Sequence, residues 1–178
     1  QNHVGGFYTS AIGFGWNEDV LKKRKLAAPR CWSDLLNPAY KGEIETSHPA
    51  SSGTGYTILA GLVQLMGEDA AFDYLKKLNK NVTQYTRSGQ AQARSVGKGE
   101  VGIGISFIFG FENERITNKF PVQSAAPCEG TGYEIGSMSI VKGAKNMEQA
   151  KKFYEFALRP DVQSEAVKAL AFQIPSNA

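Results

Sequence analysis

Residues Pro49-Ala50-Ser51-Ser52-Gly53-Thr54-Gly55-Tyr56 put two serine hydroxyls and two glycines at the predicted start of a helix, a composition suited to holding an anion. Ser51 and Ser52 are N-cap types, whose side-chain oxygens accept hydrogen bonds from the first backbone N–H groups. The other N–H groups of a first turn have no acceptor within the helix, and the helix dipole adds partial positive charge there. Gly53 and Gly55 each cost roughly 1 kcal/mol relative to Ala inside a helix, and they let the backbone come close to a bound group. An ordinary helix cap, with glycines that only ease a turn, accounts for the same residues equally well. Three further turns are candidates: Arg87-Ser88-Gly89-Gln90, a second Ser/Gly helix start; Ser106 to Gly110, after a buried strand; and the polar loop Glu129-Gly130-Thr131-Gly132-Tyr133-Glu134.

Catalytic chemistry finds little to work with. The chain has two histidines, His3 near its start and His48 before Pro49, and neither belongs to a recognisable constellation. G-x-S-x-G, H-E-x-x-H and the Walker pattern G-x-x-x-x-G-K-[ST] are all missing, although Gly97-Lys98-Gly99 resembles a piece of the last. Glu129 and Glu134 could form a carboxylate pair for phosphoryl or glycosyl chemistry, which needs a fixed separation across the scissile bond. Cys31 and Cys128 are far apart in sequence and have no metal-type spacing, so they are either one disulfide or two buried thiols.

The 178 residues can bury one sound core, and a composition of 42% hydrophobic and 21% charged residues is ordinary globular usage. A net charge of +3 with dispersed basic residues offers no nucleic-acid surface, and Lys22-Lys23-Arg24-Lys25 reads as a solvated face. No apolar run approaches the roughly 20 residues of a membrane span. The opening Gln1-Asn2-His3, without Met or a leader pattern, suggests a processed product or a fragment.

The elements that must position the candidate turns alternate between strand and helix. Gly6–Asn17 reads as a strand with glycines for close backbone approach, Glu18–Leu26 as a helix, Trp32–Leu36 as one helical turn and Gly42–Thr46 as a strand. The helix opening at Ser51 ends at Gly67. Glu68–Leu78 is a second helix, with Ala71, Phe72, Leu75 and Leu78 on its apolar face. Val82–Tyr85 reads as a strand, Ala91–Val96 as a helix, and Val101–Phe107 as a buried strand. Glu112–Asn118 reads as an exposed helix, followed by strands at Phe120–Ala126 and Ile135–Val141. Asn146 with Gln149 predicts a capping box on a helix whose apolar face is Ala150, Phe153, Tyr154 and Ala157. Arg159-Pro160 opens a last helix carrying Val162, Ala166, Val167 and Leu170 inward. This alternation predicts an α/β fold, in which ligands sit at loops beyond strand ends and at helix N-termini.

The ordered segments Trp32-Ser33-Asp34-Leu35-Leu36-Asn37-Pro38-Ala39-Tyr40-Lys41-Gly42, Pro49–Gly55, Ser88–Phe107, Glu129–Ser137 and the helix from Asn146 into Arg159-Pro160-Asp161-Val162-Gln163 resemble one family. It is that of the extracellular solute-binding proteins of bacterial ABC importers, in the subgroup with ferric-ion-, sugar-phosphate- and phosphonate-binding members. The resemblance covers nearly the whole chain. It implies an α/β lobe of the type II periplasmic-binding-protein class, a mixed sheet flanked by helices, with the first lobe largely missing. On that pattern residues 1–16 hold an inter-lobe crossing strand, 17–126 the second lobe, 127–142 a returning crossing, and 143–178 helices that pack on or between lobes. The crossings lie near Phe7–Phe14 and Ile135–Val141. Apolar surface is then expected near the last helices, either exposed or buried by a second copy in a fragment-driven dimer.

The resemblance also implies a function. The chain would capture a small anionic or phosphorylated organic solute, such as a sugar phosphate or phosphonate, for a membrane permease. It would work in the periplasm, or outside the cell on a lipid anchor in a Gram-positive source. Ser51, Ser52, Gly53 and Thr54 would donate to the anion, Ser88 and Gly89 would form a second donor set, Ser106 would line the site, and Glu129 would accept from a hydroxyl or amine. No catalytic residue, metal or cofactor is implied. The alternative of a ferric-ion or ferric-chelate carrier meets a departure from the pattern: iron-binding members place adjacent tyrosines after the strand matching Val101–Phe107, and here stands Phe107-Ile108-Phe109-Gly110-Phe111. The histidine–aspartate pair of sugar-phosphate members at that place is also missing.

Overall fold

The computed structural model describes residues 4–177; His3 lies outside the described residues. The elements in order are β1 (Val4–Asn17), α1 (Glu18–Arg24), two 3-10 turns (Trp32–Leu36 and Pro38–Tyr40), β2 (Ile44–Ser47), α2 (Gly53–Met66), α3 (Glu68–Leu78), β3 (Val82–Thr86), α4 (Ala91–Gly97), β4 (Ile103–Phe107), α5 (Ile108–Ile116), β5 (Val122–Ala125), β6 (Tyr133–Ser139), α6 (Met147–Ala157), α7 (Pro160–Lys168) and β7 (Ile174–Pro175). The mixed α/β architecture matches the expectation. The chain divides into two compact units, Ala11–Tyr133 and the pair of segments Gln1–Ser10 and Glu134–Ala178. It passes from one to the other inside β1 and again at the start of β6.

In the larger unit the strands lie in the order β3-β2-β4-β1-β5. β2 runs parallel to β3 and β4, and β1 runs antiparallel to β4 and β5. β4 is buried along its whole length, as its unbroken apolar run predicts. Ile103, Ile105 and Phe107 join a core with Ile58 and Leu62 of α2 and Ala71, Tyr74 and Leu78 of α3. The residues between them belong to the other side of the sheet, where Ala93, Val96, Phe111 and Val122 form a second apolar cluster. There a Cβ on Gly15 would overlap the Phe111 ring, and one on Gly104 would come within 3.0 Å of it. The glycines of β1 thus serve close approach by α5.

Local chemistry sets the element ends. Asn17 Oδ1 accepts from the Asp19 and Val20 amides at 3.1 Å, and Lys25 closes α1 in the left-handed region at φ 58°. Lys22, Lys23 and Arg24 occupy the last turn of α1, where the dipole favours them.

Several expected boundaries move. α5 starts at Ile108, directly after β4, and buries Gly110, Phe111 and Glu114; there is no Ser106–Gly110 loop, because Phe111 anchors the helix on the sheet glycines. α3 buries Tyr74 and leaves Phe72 exposed; the Tyr74 hydroxyl donates to the Trp32 carbonyl at 2.7 Å.

In the smaller unit Tyr8 and Thr9 of β1 pair antiparallel with Pro175 and Ile174, and β6 also pairs with β1. Asn146 occupies the N-cap of α6 without a side-chain hydrogen bond, so the predicted capping box does not form. Of the faces expected to point inward, Ala157 is buried, whereas Phe153, Val167 and Leu170 are exposed. Gln163 takes the interior place in α7: its amide donates to the Ala157 carbonyl and Ser176 Oγ, and its oxygen accepts from the Asn177 amide at 2.8 Å. With Phe156 also exposed, the apolar surface expected near these helices is present.

Candidate functional site

β3, β2 and β4 are parallel neighbours, and each ends where a helix is about to begin: β2 before α2, β3 before α4, β4 before α5. Ligands of α/β proteins gather at such carboxyl ends. β2 ends at Ser47, and Ser51 and Ser52 turn back so that both amides donate to the His48 carbonyl, at 3.2 and 3.1 Å. Ser52 is the N-cap of α2; its Oγ accepts from the Gly55 amide at 3.4 Å, leaving the Gly53 and Thr54 amides without an intrahelical acceptor.

The two glycines of this turn have different reasons. A Cβ on Gly55 would sit 2.7 Å from the Ser47 carbonyl oxygen and 2.8 Å from His48, so Gly55 lets the helix lie against the end of its own strand. Gly53 faces open space, with nothing within 4 Å of an added Cβ. Its bareness is not required by packing.

The second Ser/Gly turn meets the first at Gly89. A Cβ there would overlap Thr54 Oγ1, lie 2.9 Å from Thr54 Cβ and 3.5 Å from Ser52 Oγ. Ser52, Thr54 and Gly89, singled out from sequence, are therefore together, with Gly53 and Ser88 as their chain neighbours. Ser51 is exposed at the edge of its turn. Ser106 is also present, but buried: its hydroxyl donates to the Gly89 carbonyl at 2.5 Å, so its one proton is committed within the protein.

Three residues of this region carry no signal in the sequence reading. Ser47 Oγ donates to the Ser88 carbonyl at 3.5 Å, and Thr86 Oγ1 donates to the same oxygen at 2.8 Å. The Gln92 amide donates to Ser47 Oγ, while Gln92 Oε1, fully buried, has no partner among the described residues. The recurrence of a hydroxyl at the ends of β2, β3 and β4 was the available clue.

Glu129 stands elsewhere. Its oxygens accept from the Trp32 amide at 2.7 Å and the Ser33 amide at 3.0 Å, capping the first 3-10 turn, and the Trp32 indole donates to the Gly130 carbonyl at 3.0 Å. The expected solute acceptor is thus a structural cap. Partial burial pushes its carboxyl up, but the Ser33 and Trp32 amides outweigh this and hold it below its ordinary value of 4.5. Beside it Cys31 and Cys128 form a disulfide, which closes the question left by their spacing. Their sulfurs and a Glu129 oxygen lie within 4.8 Å of one another, yet bridged cysteines offer no thiolate to a metal.

Because the folded carboxyl is more acidic than the unfolded one, its stabilising contribution is complete above the unfolded value and fades as pH falls through the folded one. Glu129→Gln is expected to cost about 1 kcal/mol at pH 7, the size of a lost cap. Melting curves from pH 7 down to pH 3 should bring wild type and variant together at the acid end. A constant gap would refute the assignment.

An apolar cavity of about 310 Å³ lies beside β2 and β3, lined by His48, Ile58, Leu59, Phe72, Leu75 and Tyr85 among others. It takes Pro49 and Gly55 from the opening stretch but none of the residues expected to touch the solute, and its lining does not suit a charged solute. No helix among the described residues is long and apolar enough to cross a membrane.

A family model described as bacterial extracellular solute-binding protein matches residues 1–178. An uncharacterized protein of Haemophilus influenzae is 45% identical over 168 residues, which are 94% of this chain and 48% of that protein. The spermidine/putrescine-binding periplasmic protein of Salmonella typhimurium is 28% identical over 175 residues, covering 94% of this chain and 48% of its own length. Among solved structures, the periplasmic binding protein AfuA from Actinobacillus pleuropneumoniae, with exogenous fructose-6-phosphate bound, superposes with a TM-score of 0.92 at 44% identity. That match covers 99% of this chain and 56% of AfuA. The chain spans about half the length of the curated relatives it matches.

Proposed function

The chain belongs to the family of bacterial extracellular solute-binding proteins, and on that premise we propose that it forms one wall of a site for a small phosphorylated organic anion. The family consists of binding proteins, not enzymes, so Glu129 and Glu134 need no catalytic role. One observation carries the reading: Gly89 packs on Thr54 and Ser52, joining two Ser/Gly turns into a cluster of hydroxyls and amides that has no carboxylate among its members. Such a set donates hydrogen bonds and suits a phosphoryl group. In this reading Ser51, Ser52, Gly53, Thr54, Ser88 and Gly89 meet the anion. The fructose-6-phosphate held by AfuA supports the same class of solute. The permease of an ABC importer would receive it, in the periplasm where named relatives work.

A cationic solute, as the name of the Salmonella relative describes, would need acidic partners that this cluster lacks. Iron is also disfavoured. Phe107 to Phe111 supply no side-chain oxygen where the resemblance places ferric ligands; they are the last residue of β4 and the first turn of α5.

Periplasmic binding proteins gain affinity by closing around the ligand, so this chain alone should bind weakly, with a Kd on the order of 1 mM. The test is a titration of the ¹⁵N-labelled chain with fructose 6-phosphate, inorganic phosphate, spermidine and ferric citrate. Shifts of the Gly53, Thr54 and Gly89 amides with the two phosphoryl compounds are expected. A response to spermidine or ferric citrate alone would sink the proposal.

A further inference from the structure

We infer that Ser47, Thr86 and Ser106 are positioning residues that fix the Ser88-Gly89-Gln90 peptides with their N–H groups turned toward the anion; this rests on the anion-binding reading above.

The starting point is the direction of two carbonyls. Ser88 O accepts from Thr86 Oγ1 at 2.8 Å and from Ser47 Oγ at 3.5 Å, and Gly89 O accepts from Ser106 Oγ at 2.5 Å. All three donors are buried at the ends of β2, β3 and β4. Both carbonyls are therefore drawn toward the sheet. No described peptide bond is cis, and in a planar trans peptide the N–H points opposite to the C=O. The N–H of Gly89 and that of Gln90 are thus turned away from the sheet. Gly89 N–H has no acceptor among the described residues, and Gln90 N–H makes only a long contact of 3.4 Å to Ser88 Oγ.

Proton directions support the same end. A serine hydroxyl has one proton to give, and Ser47 Oγ already receives the Gln92 amide. Its own proton is then free for Ser88 O. Buried Gln92 thereby acts one step further back, by orienting Ser47.

The arrangement also explains why these hydroxyls are buried. A group that touched the solute would need exposure, whereas one that holds a peptide plane in place works best in the interior. Ser106, read from sequence as a ligand residue, acts through Gly89. Preorganised amides of this kind avoid reordering the loop when the anion arrives.

The experiment uses the ¹⁵N-labelled 178-residue chain as wild type, Ser106→Ala, Thr86→Val and Thr86→Ser, titrated with fructose 6-phosphate and separately with inorganic phosphate. Ser106→Ala and Thr86→Val are each expected to lower affinity roughly tenfold, and Thr86→Ser to keep wild-type affinity. In the two weakened variants the phosphate-induced shifts of Gly89 and Gln90 should shrink, while those of Gly53 and Thr54 persist at saturation. A purely structural role would diminish both sets together, and that result overturns the inference. Wild-type binding that is unchanged in both variants overturns the inference alone. A wild-type chain that responds to neither probe overturns the anion reading and this inference with it.

Discussion

Gly89→Ala is expected to weaken binding of fructose 6-phosphate by up to about a hundredfold, which takes a weak interaction of the isolated chain below detection. The added Cβ would overlap Thr54 Oγ1 and lie 2.9 Å from Thr54 Cβ, and Thr54 is itself buried at the start of α2. Either Thr54 or the Ser88–Gln90 loop must move. Overpacking of this kind costs about 1–3 kcal/mol, and a hundredfold in affinity corresponds to about 2.8 kcal/mol. Gly53→Ala makes the contrast. It meets nothing within 4 Å, and its helical position favours Ala by up to about 1 kcal/mol. That variant should be more stable than wild type, with any loss of binding confined to close approach by the solute. The pair is read by calorimetry for binding and by denaturant melts for stability. Equal effects of the two alanines on binding would contradict the geometry.

Loss of the Cys31–Cys128 bridge is expected to cost about 3–5 kcal/mol of stability. It closes a loop across a sequence separation of 97, and the chain-entropy treatment assigns about 4.7 kcal/mol to a loop of roughly 100 residues. The bridge also keeps Glu129 at the amides of Trp32 and Ser33, so part of the cap falls with it. Urea unfolding of wild type, of wild type with reductant, and of Cys31→Ser with Cys128→Ser should give a lowered midpoint in the last two. Coincident midpoints would mean that the reduced chain already holds these segments together.

The α/β alternation, the helix start at Ser51-Ser52 and the Ser88-Gly89 turn were legible because caps and apolar periodicity are local signals. Residues that depend on a distant partner were not. Glu129 lies in a polar loop and reads as a ligand acceptor; only the fold brings it to amides nearly a hundred positions earlier. Ser106 sits in an apolar run, and nothing local says that its proton goes to Gly89. The turn was read as Ser106–Gly110 and the helix as starting at Glu112, because the burial of Phe111 depends on glycines of β1 and β4 and the true start of α5 was invisible. Tyr74 and Phe72 exchanged places for a related reason: a distant Trp32 carbonyl decides which ring turns inward.

The sheet order has a kinetic consequence. β1 lies between β4 and β5, with Ile12 opposite Phe107 and Phe14 opposite Ala125. β1 therefore finds these two neighbours only after β4 and β5, which follow it in the chain, have left the ribosome. Pairing over such sequence distances closes long loops before any contact rewards them, which places folding toward the millisecond-to-second range. Until then the backbone N–H and C=O groups along the edges of β1 wait unpaired. During synthesis this chain is most open to mispairing at β1.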